Sequence, residues 1–114
     1  MNRTLLKSKI HRATVTDANL NYTGSISLGP ELLEAADLLE FEQVDIYNCN
    51  NGERFHTYTI LGQPGEVCLN GAAARKVQPG DIVIIASYAS YSGEEAAGHR
   101  PRLIYVNADN IIEG

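Results

Sequence analysis

The chain has 114 residues and a formal net charge of -5, so it is long enough for one domain with a single core. Its 44% hydrophobic and 20% charged residues exclude a wholly disordered chain, and its nine scattered Lys and Arg residues argue against a nucleic-acid or anionic-membrane surface. Cys49 and Cys68 lack the spacing of a redox pair or of zinc ligands, so we expect reduced thiols in the cytoplasm and no metal site. The densest apolar stretch, residues 82–86, is too short to span a membrane.

Most of the chain alternates between apolar and polar residues and is rich in β-branched side chains, which is typical of strands. In chain order, the pattern predicts one or two strands over residues 4–15 and further strands over residues 22–27, 43–49, 54–60, 67–69, 82–88 and 103–106. We expect a turn at residues 17–19 and a polar tail after residue 106. The strand at 82–88 is apolar on both faces, which places it at the centre of a sheet.

Gly and Pro punctuate these strands and leave room for only short helices. Gly29 and Pro30 precede a helix predicted over residues 31–37. Asn70–Ala74 predicts a tight turn into one helical turn, and residues 94–97 predict another within a polar loop over 90–98. Without an alternating strand and helix rhythm, these elements favour a mainly β, barrel-like single domain over residues 1–114.

Asn51 and Gly52 separate two strands, and this pair readily takes the positive φ angles of a tight turn. Residues 43–60 therefore predict a β-hairpin. Alternation along its second strand places Arg54, His56 and Tyr58 on one face and Thr57 on the other. A site that used both faces would have to lie between two surfaces.

Gly24 and Ser25 form a dipeptide that can attack its own backbone. The Ser25 hydroxyl can add to the Gly24 carbonyl carbon and shift the acyl group from nitrogen to oxygen, and glycine leaves that carbonyl uncrowded. Elimination from the resulting ester, followed by hydrolysis, would leave a pyruvoyl group at residue 25 and two chains, 1–24 and 25–114. Such a ketone binds a substrate amine as a Schiff base and accepts the electrons left by a departing carboxylate. Taken alone, the dipeptide is an ordinary loop pair.

The motifs around it resemble those of the bacterial aspartate 1-decarboxylases, the pyruvoyl-dependent enzymes that make β-alanine for pantothenate. The matching motifs cover nearly the whole chain and comprise Arg3-Thr4, Lys9–Arg12, Tyr22–Ser25, Asn51–Phe55, Thr57-Tyr58, Asn70–Ala74 and Gly80–Ile85. The resemblance implies a six-stranded double-psi β-barrel with short helices, and a homotetramer with active sites between neighbouring subunits. It also implies L-aspartate as substrate and a pyruvoyl group made from Ser25 as cofactor.

The resemblance assigns the self-cleavage to three residues. Gly24 and Ser25 form the scissile bond, and Thr57 polarises the Gly24 carbonyl. The implied holders of the ester oxyanion or of the substrate are Asn70 and the backbone amides of Gly71, Ala72 and Ala73. The plainer interpretation of this segment is a turn followed by the start of a helix.

The resemblance also assigns the residues of turnover. Tyr58 is the implied proton donor, since a phenol is protonated at neutral pH. Arg54 is the implied carboxylate binder, because its planar fork can hold a carboxylate bidentately. Lys9, with His11 nearby, supplies further positive charge. The plainer interpretation is a surface aromatic at Tyr58 and exposed edge-strand positions at Lys9 and His11.

Three further residues are implied to line the pocket: Tyr22, Tyr47 and Ile84. Tyr47 departs from the tryptophan associated with this family position, a change that alters pocket shape more than chemistry.

The sequence is compatible with two other functions. A β-barrel binding or assembly module could keep the fold without cleaving, although the intact set of Ser25, Thr57 and Tyr58 argues against it. A pyruvoyl decarboxylase could act on another amino acid, although Arg54 with Lys9 favours a dicarboxylic substrate. The rate of maturation and any need for an accessory factor are not indicated by the sequence.

Overall fold

A computed structural model describes residues 1–113 of the chain. Its elements, in chain order, are β1 (Arg3–Thr14), β2 (Asp17–Asn19), β3 (Ser25–Leu28), α1 (Pro30–Ala35), β4 (Gln43–Asn48), β5 (Arg54–Leu61), β6 (Val67–Asn70), a 3-10 helix (Gly71–Lys76), β7 (Ile82–Tyr91), α2 (Gly93–Ala97), β8 (Arg102–Val106) and β9 (Ile112–Glu113). The predicted mainly β class with short helices is confirmed. Neither α-helix, nor the 3-10 helix, is long and apolar enough to cross a membrane within these residues.

The strands form one mixed sheet in the order β2-β6-β3-β5-β4-β7-β1-β8-β9. β3 runs antiparallel to β6 and parallel to β5, while β1 runs antiparallel to β7 and parallel to β8. The described residues thus contain nine strands where the resemblance implies six, and β2 and β9 have only three and two residues. Closure into a double-psi barrel stays a prediction.

The hairpin and the central strand are confirmed. β4 and β5 pair antiparallel, with Tyr47 opposite Arg54. β7 lies between β4 and β1, and it continues to Tyr91 because its last residues pair with the start of β1. Residues 90 and 91 therefore belong to β7, although the sequence predicted a polar loop from residue 90.

Two further predictions for chain segments are wrong. Asp17–Asn19 is a strand rather than a turn, because it pairs in parallel with Cys68–Asn70, about fifty residues further along the chain. The predicted polar tail contains β9, which pairs with β8. In both cases a long-range backbone partner outweighs the turn-like or polar character of the residues.

A row of apolar side chains sets the inner face of the sheet. Ile10 lies opposite Ile85, Ile85 opposite Ile46, and Ile46 opposite Phe55. The three isoleucines are almost fully buried, and each contributes on the order of 1.5–3 kcal/mol to stability. α1 adds Leu32 and Leu33 to the same core.

Because side chains alternate along a strand, this inward row also decides what faces out. With Phe55 turned to the core, β5 turns Arg54, His56 and Tyr58 outward and Thr57 inward. The predicted division of this strand between two faces is confirmed.

Candidate active site

Ser25 is the first residue of β3, and its side chain is completely buried. The Ser25 hydroxyl donates to the Thr23 carbonyl oxygen at 3.0 Å, and it accepts from the Asn70 side-chain amide at 3.0 Å. Asn70 ends β6 directly opposite Ser25. The hydroxyl of the predicted nucleophile therefore has a fixed orientation next to the bond that it is predicted to attack.

Gly71 packs its backbone against Gly24. Its φ angle is 64°, in the left-handed region that favours glycine. A Cβ atom at residue 71 would lie 2.5 Å from the Gly24 Cα atom and 2.7 Å from its nitrogen. The segment 70–71 can therefore approach the Gly24-Ser25 bond this closely only with glycine at position 71.

One cavity of about 390 Å³ opens beside this bond, and we call it the cleavage cavity. Its lining residues are Gly24, Phe55, His56, Thr57, Tyr58, Ala72, Ala73 and Lys76. It brings together five of the residues predicted for the site, from three separate parts of the chain. Thr57 reaches it from the inner face of β5, while Ala72 and Ala73 belong to the 3-10 helix.

Three residues of the cleavage cavity had no role in the predicted site: Phe55, His56 and Lys76. His56 is adjacent to Thr57, so strand position alone could have indicated it. Lys76 ends the 3-10 helix and forms a 3.4 Å salt bridge with Glu53. It places this ion pair at the rim of the cavity, which the short Asn70–Ala74 motif does not indicate.

A second group of predicted residues lies on the outer face of the sheet. Tyr47 lies opposite both Ile84 and Arg54 in the strand register, and the Arg54 guanidinium carbon lies 4.0 Å above the centre of the Tyr47 ring. Lys9 shares this face, because it lies opposite Ala86, which in turn lies opposite Asp45. We call Lys9, Tyr47, Arg54 and Ile84 the outer-face group.

Hydrogen bonds fix the Tyr47 ring beneath Arg54. The Tyr47 hydroxyl lies 2.9 Å from that of Tyr88 and donates to an Asp45 carboxylate oxygen at 3.3 Å. Burial, followed by the hydrogen bond with Tyr88, raises the pKa of Tyr47 well above its ordinary value. The ring therefore stays neutral, and it offers Arg54 a cation–π contact.

Arg54 is free to bind an anion. Among the described residues, salt bridges join Lys7 to Glu42 and Lys76 to Glu53, which leaves the Arg54 guanidinium without a carboxylate partner. It borders a smaller cavity, of about 170 Å³, lined also by Asp45, Tyr47, Phe55 and His56. A chain with net charge -5 thus presents an unpaired guanidinium on this face.

The outer-face group does not line the cleavage cavity, although the smaller cavity that Arg54 borders shares Phe55 and His56 with it. Arg54 precedes Tyr58 by four residues on β5, which separates their Cα atoms by roughly 13 Å at about 3.3 Å per strand residue. The structure therefore does not gather all of the predicted substrate-binding residues around Ser25.

His11 and Tyr22 lie apart from the cleavage cavity as well. His11 contacts Tyr105 edge to face, with 5.6 Å between ring centres, and its Nδ1 atom is buried without a hydrogen-bond partner. Burial, followed by the charges of Lys9 and Arg12, lowers the pKa of His11. Tyr22 lines a separate polar cavity that Asn70 also borders.

The sequence as a whole is similar to known proteins. The family model described as aspartate decarboxylase matches residues 1–113. A protein of Bdellovibrio bacteriovorus named aspartate 1-decarboxylase is 62% identical over 98% of this chain and 90% of its own. Proteins of the same name from Syntrophus aciditrophicus and Campylobacter hominis are 61% and 60% identical, and the alignments cover 99% and 96% of both chains. This chain belongs to the aspartate decarboxylase family.

Proposed function

We propose that the chain cleaves itself between Gly24 and Ser25 and then converts L-aspartate to β-alanine and carbon dioxide, supplying β-alanine for pantothenate synthesis. The observation that carries the proposal is the buried Ser25 hydroxyl, oriented between the Thr23 carbonyl and the Asn70 amide beside Gly24. The relatives' shared name supplies the substrate.

Self-cleavage begins at the Ser25 hydroxyl. Its oxygen adds to the Gly24 carbonyl carbon, the carbon–nitrogen bond breaks, and the hydroxyl proton passes to the released nitrogen. The product is an ester between the Gly24 carbonyl and the Ser25 oxygen. Thr57, which shares the cleavage cavity with Gly24, is the proposed hydrogen-bond donor to the Gly24 oxygen during this addition.

Elimination then separates the two chains. Removal of the Ser25 Cα proton breaks the bond between Cβ and Oγ, so that Gly24 leaves as a carboxylate that keeps the Oγ atom. The Asn70 amide already donates to that oxygen, and the hydrogen bond strengthens as negative charge develops there. One water then replaces the nitrogen at residue 25 and releases ammonia, which leaves a ketone.

The residues around position 25 fit a pyruvoyl group. Position 25 begins β3, so the cut falls at the end of the strand and leaves the pairing of residues 26–28 with β6 in place. Asn70 and the amides that follow it are the residues that would hold the group. When bound, it supplies an electrophilic ketone that takes the substrate amine and accepts the electrons of the lost carboxylate.

Binding and protonation fall to two different groups of residues. Tyr58, in the cleavage cavity, is the proposed donor of a proton to the carbon that loses carbon dioxide. Arg54 and Lys9 are the proposed partners of the substrate side-chain carboxylate. Pairing either cation with the departing carboxylate would stabilise the ground state and oppose its loss.

We further propose that the active site lies between subunits of a homotetramer. Neither Arg54 nor Lys9 lines the cleavage cavity of its own protomer, and the Cα atoms of Arg54 and Tyr58 lie roughly 13 Å apart along β5. The outer-face group of one subunit could meet the cleavage cavity of its neighbour, and the exposure of Arg54 supports this arrangement. A single domain over residues 1–114 and a cytoplasmic location remain parts of the proposal, as does the lack of nucleic-acid and membrane partners.

Mass spectrometry of the purified protein tests the self-cleavage. We expect fragments of residues 1–24 and 25–114, with a ketone in place of the amino terminus of the larger one, and only intact chain from Ser25→Ala. Intact wild-type chain after prolonged incubation would refute self-processing of the isolated protein and favour a non-cleaving binding module.

An assay of the cleaved protein tests the substrate. We expect β-alanine from L-aspartate and little product from L-glutamate, because the second carboxylate must reach a fixed guanidinium. Turnover of another amino acid in preference to aspartate would instead favour a pyruvoyl decarboxylase of different specificity.

A further inference from the structure

Cys68 and Ser27 are buried polar residues behind the scissile serine to which no role has been given. We infer that they are positioning residues for self-cleavage: together they orient the Asn70 amide so that its NH₂ group, and not its oxygen, faces Ser25 Oγ. The inference deepens the proposed function and rests on it, because it concerns the rate at which the Gly24-Ser25 bond is cut.

Four polar side chains form a square on one face of two paired strands. In the register of β3 and β6, Ser25 lies opposite Asn70 and Ser27 lies opposite Cys68. Residues two apart on a strand face the same side, so the four side chains meet. All four are buried, with 7% of the surface of Ser27 exposed and less for the others.

Every hydrogen-bonding group of the Asn70 amide has a partner in this square. The Asn70 Nδ2 atom donates to Ser25 Oγ and to Ser27 Oγ, each at 3.0 Å. The Asn70 Oδ1 atom accepts from Cys68 Sγ at 3.3 Å, a shorter distance than the 4.0 Å from that sulfur to the Leu69 carbonyl oxygen. A primary amide has two N–H donors, and both are used.

The donor and acceptor pattern favours one orientation of the amide. The Thr23 carbonyl can only accept, so it takes the Ser25 hydroxyl proton and leaves Ser25 Oγ as an acceptor toward Asn70. With the amide turned over, its oxygen would face the Ser25 lone pairs and its NH₂ group would face the thiol hydrogen. The thiol hydrogen bond therefore favours the orientation in which Asn70 donates to the scissile serine.

The thiol keeps its hydrogen in this setting. Burial, followed by the negative charges of Asp17 and Glu66, raises the pKa of Cys68. Cys68 is therefore a donor throughout the neutral range, and its hydrogen bond to Asn70 does not switch off with pH near neutrality.

This orientation matters for the chemistry because the Ser25 oxygen becomes part of a leaving carboxylate. An amide N–H that points at that oxygen stabilises its developing charge, whereas an amide oxygen would repel it. Cys68 does not touch the reacting atoms, and it acts only through Asn70. Loss of the thiol donor should therefore slow the cleavage while every group that touches those atoms stays in place.

The test compares substitutions at Cys68 that separate the donor from the volume of the side chain. Freshly purified precursor of wild type, Cys68→Ser, Cys68→Ala and Cys68→Val is incubated, and the first-order rate of appearance of the 25–114 fragment is measured by mass spectrometry. Serine keeps a donor, alanine removes it and leaves space, and valine removes it while filling the space. Cys49→Ala, at an exposed cysteine, is the matched control.

We expect Cys68→Ala and Cys68→Val to cleave roughly three- to tenfold more slowly than wild type, as for loss of one hydrogen bond. Cys68→Ser and Cys49→Ala should stay within about twofold of wild type, since neither loses the Asn70 contact. Equal rates for the serine, alanine and valine variants at equal melting temperatures would overturn the inference. Intact wild-type chain would instead refute the proposed function itself.

Ser27→Ala is the second, independent variant. It removes the acceptor of the other Asn70 N–H and leaves the thiol untouched. If the alanine and valine variants at Cys68 fail to fold, Ser27→Ala decides: slower cleavage at an unchanged melting temperature supports the inference, and an unchanged rate overturns it.

Discussion

Gly71 lies so close to Gly24 that no side chain fits between the two backbones. The contact joins the start of the 3-10 helix to the predicted scissile bond, which are nearly fifty residues apart in the chain. Since Gly71 also has a φ angle of 64°, both the conformation and the packing at this position require glycine.

Gly71→Ala should therefore both destabilise the fold and impair cleavage. We expect a loss of about 1–3 kcal/mol of unfolding free energy from the strained φ angle and the displaced neighbour. The same displacement changes the geometry of Gly24 next to Ser25, so cleavage should slow at least tenfold. Urea denaturation and the mass-spectrometric cleavage rate measure the two effects.

Gly52→Ala is the matched control for this prediction. Gly52 also has a positive φ angle, 77°, but an added Cβ atom there meets nothing within 4 Å. It should lose only about 1 kcal/mol from the backbone and cleave like wild type. A Gly71→Ala protein that cleaved as fast as Gly52→Ala would show that the contact with Gly24 is dispensable.

Tyr58→Phe separates self-cleavage from turnover. The change removes one hydroxyl from the cleavage cavity and keeps the ring, so we expect complete cleavage at Gly24-Ser25 together with a fall in kcat of about 10²–10⁴-fold. Fragment masses and β-alanine formation provide the two measurements. Tyr91→Phe, whose ring packs 4.3 Å from His99, should leave both unchanged. Normal turnover by the cleaved Tyr58→Phe protein would rule out the phenol as the proton donor.

The hairpin and the division of β5 between two faces could be predicted from the sequence because both are local. Asn51 and Gly52 specify the turn, and strand alternation then separates Arg54 from Thr57. The proposed Gly24-Ser25 chemistry is also local, since it involves adjacent residues. Its partners could be named only through the family resemblance.

Long-range pairing is what the sequence did not reveal. Residues 17–19 have the composition of a turn, and they form a strand because they pair with Cys68–Asn70. The role proposed for Ser27 could not be predicted from the sequence either, because it depends on the pairing of the same strand, β6, with β3. A family resemblance names the residues of a site, but it does not indicate which of these residues lie together in one protomer.

Arg54→Lys should weaken substrate binding without affecting maturation. Lysine keeps the positive charge but loses both the bidentate fork and the stacking over Tyr47, so we expect KM for aspartate to rise roughly 10- to 100-fold. Cleavage at Gly24-Ser25 should proceed at the wild-type rate, since Arg54 does not line the cleavage cavity. Steady-state kinetics of fully cleaved protein measure the first effect. Arg102→Lys, an exposed arginine on β8, is the control, and an equal rise in KM there would contradict a specific role for Arg54.

The lowered pKa of His11 predicts a pH-dependent stability. Protonating His11 is harder in the folded than in the unfolded chain, so the unfolded state binds more protons below about pH 6.5. Stability is therefore complete above that pH and falls as the pH drops toward the lowered folded-state pKa. Urea denaturation of the uncleaved Ser25→Ala protein at pH 7.5 and at pH 5.5 should show this loss, and adding His11→Gln should reduce it. Lys9→Gln should also reduce it, because the Lys9 charge contributes to the shift. The same loss of stability with and without His11 would assign the effect to other groups.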